Sequence, residues 1–547
     1  MITITGLGVS EGVAMGPLRF LDNKPKDIRH EIISAVEEEV ARFENARQIA
    51  SSQLDALYLA ALKMVGEENA AILEIQKMML EDLDYRESVI DMISEKNVNA
   101  EYAVRITAQK FCEIFLAMDD AYMKERAADV IDVSERVQKA LNPDLYMSFD
   151  LPVPAIVAAN DIAPSEAVQL DKDKILGFAM VAGSAVTHTS ILARSMLIPA
   201  VVGAGAELDV SLEGKSAIVD GFTGTLYVDP DESTVATMSA KQDELREKRE
   251  ALNLLKDRPC ITLDGKKINV FVNLDNLSSL DNVVDSGAEG IGLFRTEFIY
   301  LESKVFPAEE EQFSVYKRVA ERMNGKKVII RTLDIGADKQ AGYFGLPHEE
   351  NPAMGMRAIR VCLLRPEIFI TQLRAIYRAS AFGNLAIMFP MIASVGEVEE
   401  ILKITEEVKA DLRRGNVPFD EKIEHGIMIE TPAAVMISDE LANMADFFSI
   451  GTNDLTQYTL AIDRQNTSLA GFYDPRHPAV LRMIEMAVRS AHDAGIWIGI
   501  CGELGADVVL TEAFLRMGVD ELSVSAGMVL PLKEKIMSLD LMRPEGR

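Results

Sequence analysis

The chain is short of several things. Its four cysteines, Cys112, Cys260, Cys362 and Cys501, are scattered through 547 residues with no CxxC pair, which argues against a disulfide framework and a zinc site alike. Positive charge is scarce too: 56 Lys and Arg stand against 86 Asp and Glu, a formal charge of −30. Charge of that sign repels phosphate backbones and anionic lipid, so neither nucleic acid nor a membrane surface is an expected partner. No run of about 18 apolar residues is present to span a bilayer, although 48% of the chain is hydrophobic and large cores are expected. The opening Met-Ile-Thr-Ile-Thr-Gly has no basic stretch followed by an apolar one, and the cytoplasm is the expected location. At 547 residues, two to four domains are expected.

Glycine and proline are missing from one long stretch. Between Lys26 and Asn142 only Gly66 interrupts, while Ile33, Val36, Val40 and Phe43, then Ala50, Leu54, Leu57, Ala61 and Met64, recur at helical spacing. That pattern predicts an antiparallel helical bundle over 26–142. Around it, the glycine-rich segment from Gly6 to Pro17 and the runs Pro152–Ala159 and Ser216–Gly221 read as short strands. The bundle is therefore expected as an insertion into a small α/β domain made of 1–25 and 143–230. A second stretch without glycine or proline, 231–257, alternates in charge and predicts an exposed connecting helix.

What is present beyond residue 258 is a run of eight β-rich segments alternating with helical patterns: Ile268–Leu274, Gly290–Arg295, Lys327–Asp334, Leu385–Met391, Gly426–Glu430, Phe447–Gly451, Trp497–Cys501 and Glu521–Ser525. Eight such units in just under 300 residues predict a (β/α)8 TIM barrel over 258–547, in preference to an open doubly wound sheet. The fold class is thus multidomain α/β. Catalytic residues of a barrel lie at strand C-terminal ends. Asn273, Arg295, Arg331, Asp334, Glu430, Asn453, Asp454, Cys501 and Glu503 are there.

Arg295, Arg331, Arg357 and Arg464 sit in apolar or turn sequence. Guanidinium groups pair bidentately with phosphate and carboxylate, so four at one mouth point to a small polyanion, whereas each singly reads as a structural ion pair. Glu430 and Asp454 match the few-ligand, hard-oxygen habit of magnesium, and equally a pairing with the arginines. Cys501 is by default a packing residue, and beside such a site a proton donor to an enolate. His188, in Val-Thr-His-Thr-Ser-Ile-Leu-Ala-Arg, stands at a helix start. There an imidazole is either an ordinary capping residue or a phosphoryl acceptor near free backbone N–H groups.

Over essentially its whole length the chain resembles enzyme I of the phosphoenolpyruvate-dependent sugar phosphotransferase system. The resemblance is carried by Thr187-His188-Thr189-Ser190-Ile-Leu-Ala-Arg194, Ile198-Pro-Ala-Val-Val-Gly203, Gly426-Ile-Met-Ile-Glu430-Thr-Pro432 and Gly451-Thr-Asn-Asp454-Leu-Thr-Gln-Tyr458. It implies that phosphoenolpyruvate and Mg2+ bind the barrel, that His188 is phosphorylated on Nε2, and that a small histidine phosphocarrier protein docks on the bundle. By motif position Arg295, Arg331, Asn453, Asp454 and Arg464 would contact phosphoenolpyruvate, Glu430 and Asp454 the metal, and Cys501 would protonate the pyruvate enolate. Lys339 and Arg357 complete the positive charge expected at the mouth. The resemblance also implies a homodimer through the barrel, and a small α/β phosphohistidine domain that swings about the 231–257 helix.

The chain departs from the family before His188, where Gly183-Ser184-Ala185-Val186-Thr187 replaces the usual Gly-Gly-Arg/Lys-Thr-Ser. Val181, Met356 and Ala337 depart as well, from an acidic residue, Trp and Gly. Two other readings follow. A pyruvate–phosphate dikinase or phosphoenolpyruvate synthase shares the histidine domain and barrel but needs an ATP-binding domain of some hundreds of residues. A phosphoenolpyruvate-sensing regulatory paralogue with weakened transfer would explain the altered loop.

Overall fold

The computed structural model describes the chain apart from residues 22–27, 66, 118–120, 143–150, 152, 161, 163–170, 185–186, 197, 304, 337–341, 347–348, 465 and 544–547. Lys339, Ala185, Val186, Ala337 and the side chain of His188 lie outside the described residues. The chain forms two compact units, Met1–Lys248 and Arg249–Arg547.

The first unit is built on eight strands: β1 (Ile2–Thr5), β2 (Leu7–Ser10), β3 (Val13–Phe20), β4 (Ala155–Ala159), β5 (Ile175–Met180), β6 (Ala200–Val202), β7 (Ser216–Asp220) and β8 (Thr225–Val228). They run in the order β1-β8-β7-β3-β4-β5-β6-β2. β3 to β6 pair in parallel, and the remaining pairs are antiparallel. The glycines of the opening segment have a steric cause: a Cβ on Gly8 would stand 2.2 Å from the carbonyl oxygen of Gly221, and one on Gly221 only 1.9 Å from that of Ser10. Backbones that close leave space for hydrogen alone.

Between β3 and β4 five helices intervene: α1 (Val36–Val65), α2 (Glu67–Glu81), α3 (Leu83–Lys96), α4 (Ala100–Leu116) and α5 (Ala121–Leu141). α1 packs against α2 and α5, and α4 against α3 and α5, around a core that includes Phe43, Leu54, Val89, Val104 and Val137. Ile33 precedes α1 rather than lying in it. The helix starts at Val36 with Glu37, Glu38 and Glu39 in its first turn, where acidic side chains complement the helix dipole, and Ile32 bridges to Val98 instead. α6 (His188–Met196) follows β5. α7 (Glu232–Asn253) buries no side chain, in keeping with its charge pattern, and Lys241 ties it down by pairing with the buried Asp220 at 2.9 Å.

The second unit is a closed barrel of eight parallel strands: β9 (Asn269–Leu274), β10 (Gly290–Phe294), β11 (Lys327–Arg331), β12 (Leu385–Phe389), β13 (Glu424–Ile429), β14 (Phe447–Ile450), β15 (Trp497–Ile500) and β16 (Glu521–Val524). Each lies within a segment the sequence predicted or differs from it by a residue or two at the ends. Except at an irregularity in β10 between Ile291 and Leu293, their residues alternate: Val328, Ile330, Ile427, Ile429, Phe448, Ile450, Ile498, Ile500 and Leu522 join the core under the outer helices, while Phe271, Ile329, Ala386, Met388, Met428, Phe447 and Cys501 pack together inside the barrel. Strands buried on both faces need this continuous apolar run.

Candidate active site at the barrel mouth

The inward alternation brings Arg331, Glu430 and Cys501 to the C-terminal ends of β11, β13 and β15. Arg331, 5% exposed, donates to Glu297 Oε1 at 2.8 Å and lies 3.2 Å from Asp334 Oδ2. Arg357, equally buried, reaches both oxygens of Asp334 at 3.0 and 3.1 Å, Asp454 Oδ1 at 3.1 Å and the Tyr458 hydroxyl at 3.1 Å. Asp454 and Tyr458 share a face because they are one turn apart on α8 (Thr452–Leu460). Glu430 accepts from the backbone N–H of Met391 at 2.6 Å. Met391 is held at φ 60°, a strained conformation of the kind found at functional sites.

Among the described residues, two guanidinium groups, Arg331 and Arg357, stand among four buried acidic side chains, Glu297, Asp334, Glu430 and Asp454. Burial, with Asp454 and Asp334 close by, pushes Glu430 up to about 8. Burial works against the charged form of Arg357, but Asp334 and Asp454 outweigh it and keep the guanidinium protonated. A pair of carboxyl groups from neighbouring strands is what magnesium takes, with water and substrate oxygens completing its shell. Gly451 lets Glu430 pack into this position: a Cβ there would stand 2.8 Å from Glu430 Oε2. Glu430 and Asp454 therefore fit a divalent ion. No group of three or more His, Cys, Asp or Glu side chains forms a ready-made metal cage among the described residues.

The remaining expected residues are placed differently. Arg295 is only half-buried and pairs with Asp275. Arg464 is exposed, its backbone N–H donating to Gln457 Oε1 at 3.1 Å, and it faces Tyr473. Of the four expected arginines, Arg331 and Arg357 are the two buried at the mouth, and both pair with carboxylates, the alternative reading for each arginine taken singly. Asn453 exchanges hydrogen bonds with Glu503, donating from Nδ2 at 3.2 Å and accepting the Glu503 N–H at 3.2 Å. Cys501, 1% exposed, points its Sγ toward the Ile450 carbonyl at 3.6 Å, and burial pushes the thiol up to about 12. It is a weak acid that holds its proton until a strong base arrives. Glu297 and Tyr458 were not singled out from sequence. Glu297 lies two residues past Arg295, and Tyr458 closes the Asn-Asp-Leu-Thr-Gln-Tyr run.

In the first unit, described residues on either side of His188 are tied together by hydroxyls. Thr187 Oγ1 and Ser190 Oγ both donate to the Ser184 carbonyl, at 3.0 and 2.7 Å, and stand 2.9 Å from each other. Thr189 is buried against Ile162. The backbone at the start of α6 is thereby fixed.

Sequence comparison matches three stretches of the chain to known domains. Residues 249–541 match the PEP-binding domain of PEP-utilising enzymes, residues 151–224 their mobile domain and residues 5–126 their N-terminal domain, which defines the class. Relatives named phosphoenolpyruvate-protein phosphotransferase are 42% identical over 98% of this chain and 94% of theirs in Haemophilus influenzae, and 41% over 98% and 94% in Priestia megaterium. In Bacillus subtilis the figures are 39% over 100% and 96%. The chain belongs to the phosphoenolpyruvate-protein phosphotransferase family.

Proposed function

We propose that the chain takes the phosphoryl group of phosphoenolpyruvate at the barrel mouth, holds it on His188 and passes it to a histidine of a small carrier protein docked on the α1–α5 bundle, releasing pyruvate. The observation that supports the reading is the meeting of buried Arg331 and Arg357 with Glu430 and Asp454 at the strand C-terminal ends, a set that suits an anionic substrate bound together with Mg2+. Glu430 and Asp454 would hold the ion, whose charge, when bound, neutralises phosphoryl oxygens. Arg331 and Arg357 orient the phosphate, with Arg295 and Arg464 closing on it from the rim and Asn453 held ready by Glu503; Lys339 would add a further positive charge. The P–O bond of the enol phosphate breaks as a P–N bond forms to His188 Nε2, and the electron pair stays on the enolate. Cys501 then gives its proton to the enolate carbon, for which a thiol held at about 12 is matched to a strongly basic acceptor.

The relatives' shared name favours transfer over a sensing role for the Ser184-Ala185-Val186 loop. The same reading assigns the phosphohistidine domain to 1–25 and 143–230, the carrier platform to 26–142, the connector to 231–257, and the substrate and homodimer functions to 258–547. No helix among the described residues is long and apolar enough to cross a membrane, which accords with work in the cytoplasm. Incubation with labelled phosphoenolpyruvate and magnesium tests the core of it. Acid-labile, alkali-stable label that is lost in His188→Ala is expected; tight phosphoenolpyruvate binding without label would return the sensing role to favour.

A further inference from the structure

One step below Cys501 inside the barrel lies an acid that the transfer chemistry leaves unused. Glu521 opens β16 and is paired in the parallel ladder with Gly499 of β15, which is paired in turn with Ser449 of β14. Gly499 and Cys501 are two residues apart and face the same way, so these three positions form an interior layer roughly 6–7 Å beneath the thiol. Gly499 has no side chain, and the Glu521 carboxyl fills its place. A Cβ on Gly499 would stand 1.9 Å from Glu521 Oε2, and one on Gly292 2.8 Å from Oε1.

Glu521 is 0% and Ser449 1% exposed. Both carboxyl oxygens and the Ser449 hydroxyl are buried without a hydrogen-bond partner among the described residues. A dry core gains nothing from such groups, since Leu or Met fills the same volume without desolvating a carboxyl. Burial keeps the acid protonated, well above the ordinary carboxylate range. Seen from Cys501, the Ser449 hydroxyl favours the thiolate whereas a charged Glu521 would oppose it. Only the neutral acid is compatible with a thiolate above it.

We propose that Glu521, as a neutral carboxylic acid acting with Ser449, is a positioning residue that steadies the Cys501 thiolate formed when the pyruvate enolate is protonated. The S–H bond breaks, a C–H bond forms at the enolate carbon, and the electron pair remains on sulfur. As charge gathers on sulfur, the Ser449 hydroxyl turns to donate to it and Glu521, unpartnered in the resting structure, donates its O–H to Ser449 while keeping its own proton; water returns a proton to the thiolate before the next turnover. The assignment rests on Cys501 as the proton donor.

Single turnovers of the full chain with labelled phosphoenolpyruvate and magnesium test it, following label on the protein and the appearance of keto pyruvate separately. Glu521→Met is expected to raise the unfolding temperature and to leave phosphoenolpyruvate affinity and labelling unchanged. It should slow keto pyruvate roughly tenfold to a hundredfold, the loss of a hydrogen bond to a charged group. Glu521→Gln, which keeps a neutral donor, is expected to stay near the parent rate, and adding Glu521→Met to Cys501→Ala should slow nothing further. A role confined to packing predicts the stability gain with no kinetic change. If Glu521→Met forms pyruvate at the parent rate while Cys501→Ala is slow, or if Gln is as slow as Met, the proposal falls and Cys501 stands. If Cys501→Ala itself is unimpaired, both assignments fall. Should Glu521→Met not fold, Ser449→Ala decides instead: slowed pyruvate supports the relay, and a parent rate overturns it.

Discussion

The two ends of the barrel are lined by the same strands at positions of the same inward parity, yet they handle charge in opposite ways. β11 begins at Lys327 and ends at Arg331, β13 begins at Glu424 and is followed by Glu430, and β15 begins at Trp497 and is followed by Cys501. At the bottom, Lys327 pairs with Glu424, both partly exposed, and lies 5.2 Å over the Trp497 ring. Trp497 stacks on Phe447 with centroids 4.6 Å apart and planes 8° from parallel. Gly426 clears the space for that ring, since a Cβ there would stand 2.2 Å from it. One cation meets one anion, and aromatic rings fill the rest. At the mouth, Arg331 and Arg357 are buried among Glu297, Asp334, Glu430 and Asp454. A partly exposed pair is solvated by water when one partner is lost, whereas a buried cluster depends on its own counter-charges.

The largest effect is expected from Arg357→Met, which leaves Asp334, Asp454 and Glu430 with one guanidinium between them. Stripping one partner from a buried ion cluster costs about 3–5 kcal/mol, and losing a donor to the transferring phosphoryl group slows labelling about a hundred- to a thousandfold. Chemical unfolding and quench kinetics measure the two, and unimpaired labelling would place the substrate elsewhere. Trp497→Ala should separate them. It removes the stacked ring at the bottom at a cost of about 2–4 kcal/mol, with turnover within about twofold of the parent. A Trp497→Ala protein that stays folded but loses labelling would show that the two ends are not independent.

How far this contrast was legible in the sequence depends on which contacts are local. The strands were readable because inward and outward residues are both apolar over most of each strand, a signature of parallel sheets covered on both faces. Glu430 was readable because it directly follows an apolar run, and Asp454 because it follows one across the short turn Gly451-Thr452-Asn453. The pairing of Arg357 with Asp334 and Asp454 was not, since its partners lie 23 and 97 residues away and only barrel closure brings them together. Arg295 and Arg464 resemble Arg331 in their flanks, yet flanking residues do not report the depth at which a loop carries its side chain. Glu521 was hidden for another reason: its significance depends on the missing side chain of Gly499, a neighbour on the next strand.

A smaller effect is expected at the bottom on acidification. His425 in β13 stands 2.7 Å from the Tyr377 hydroxyl. Burial lowers its pKa to about 4, with Lys409 acting the same way and Asp446 and Glu406 opposing. The unfolded chain binds this proton near 6.5 and the folded chain only near 4. Below 6.5 the unfolded state is therefore favoured, and stability falls as pH drops to about 4 and then levels. For a half-buried group the loss is about 1–3 kcal/mol. Unfolding free energies of the parent and His425→Gln, compared from pH 7 to 4, should diverge with the parent losing more, and parallel curves would assign the acid sensitivity to the mouth carboxylates.

The smallest effect separates the two ends most directly. Lys327→Gln removes the cation from the bottom pair just as Arg357→Met removes one from the mouth, and it leaves Glu424 without its ammonium partner. Glu424 is partly exposed, so water takes over its solvation, and the cost should stay below about 1 kcal/mol, shrinking further in high salt. Labelling by phosphoenolpyruvate should be unchanged. A loss at the bottom as large as at the mouth, measured by the same unfolding titration, would mean that burial is not what makes the mouth cluster costly to disturb.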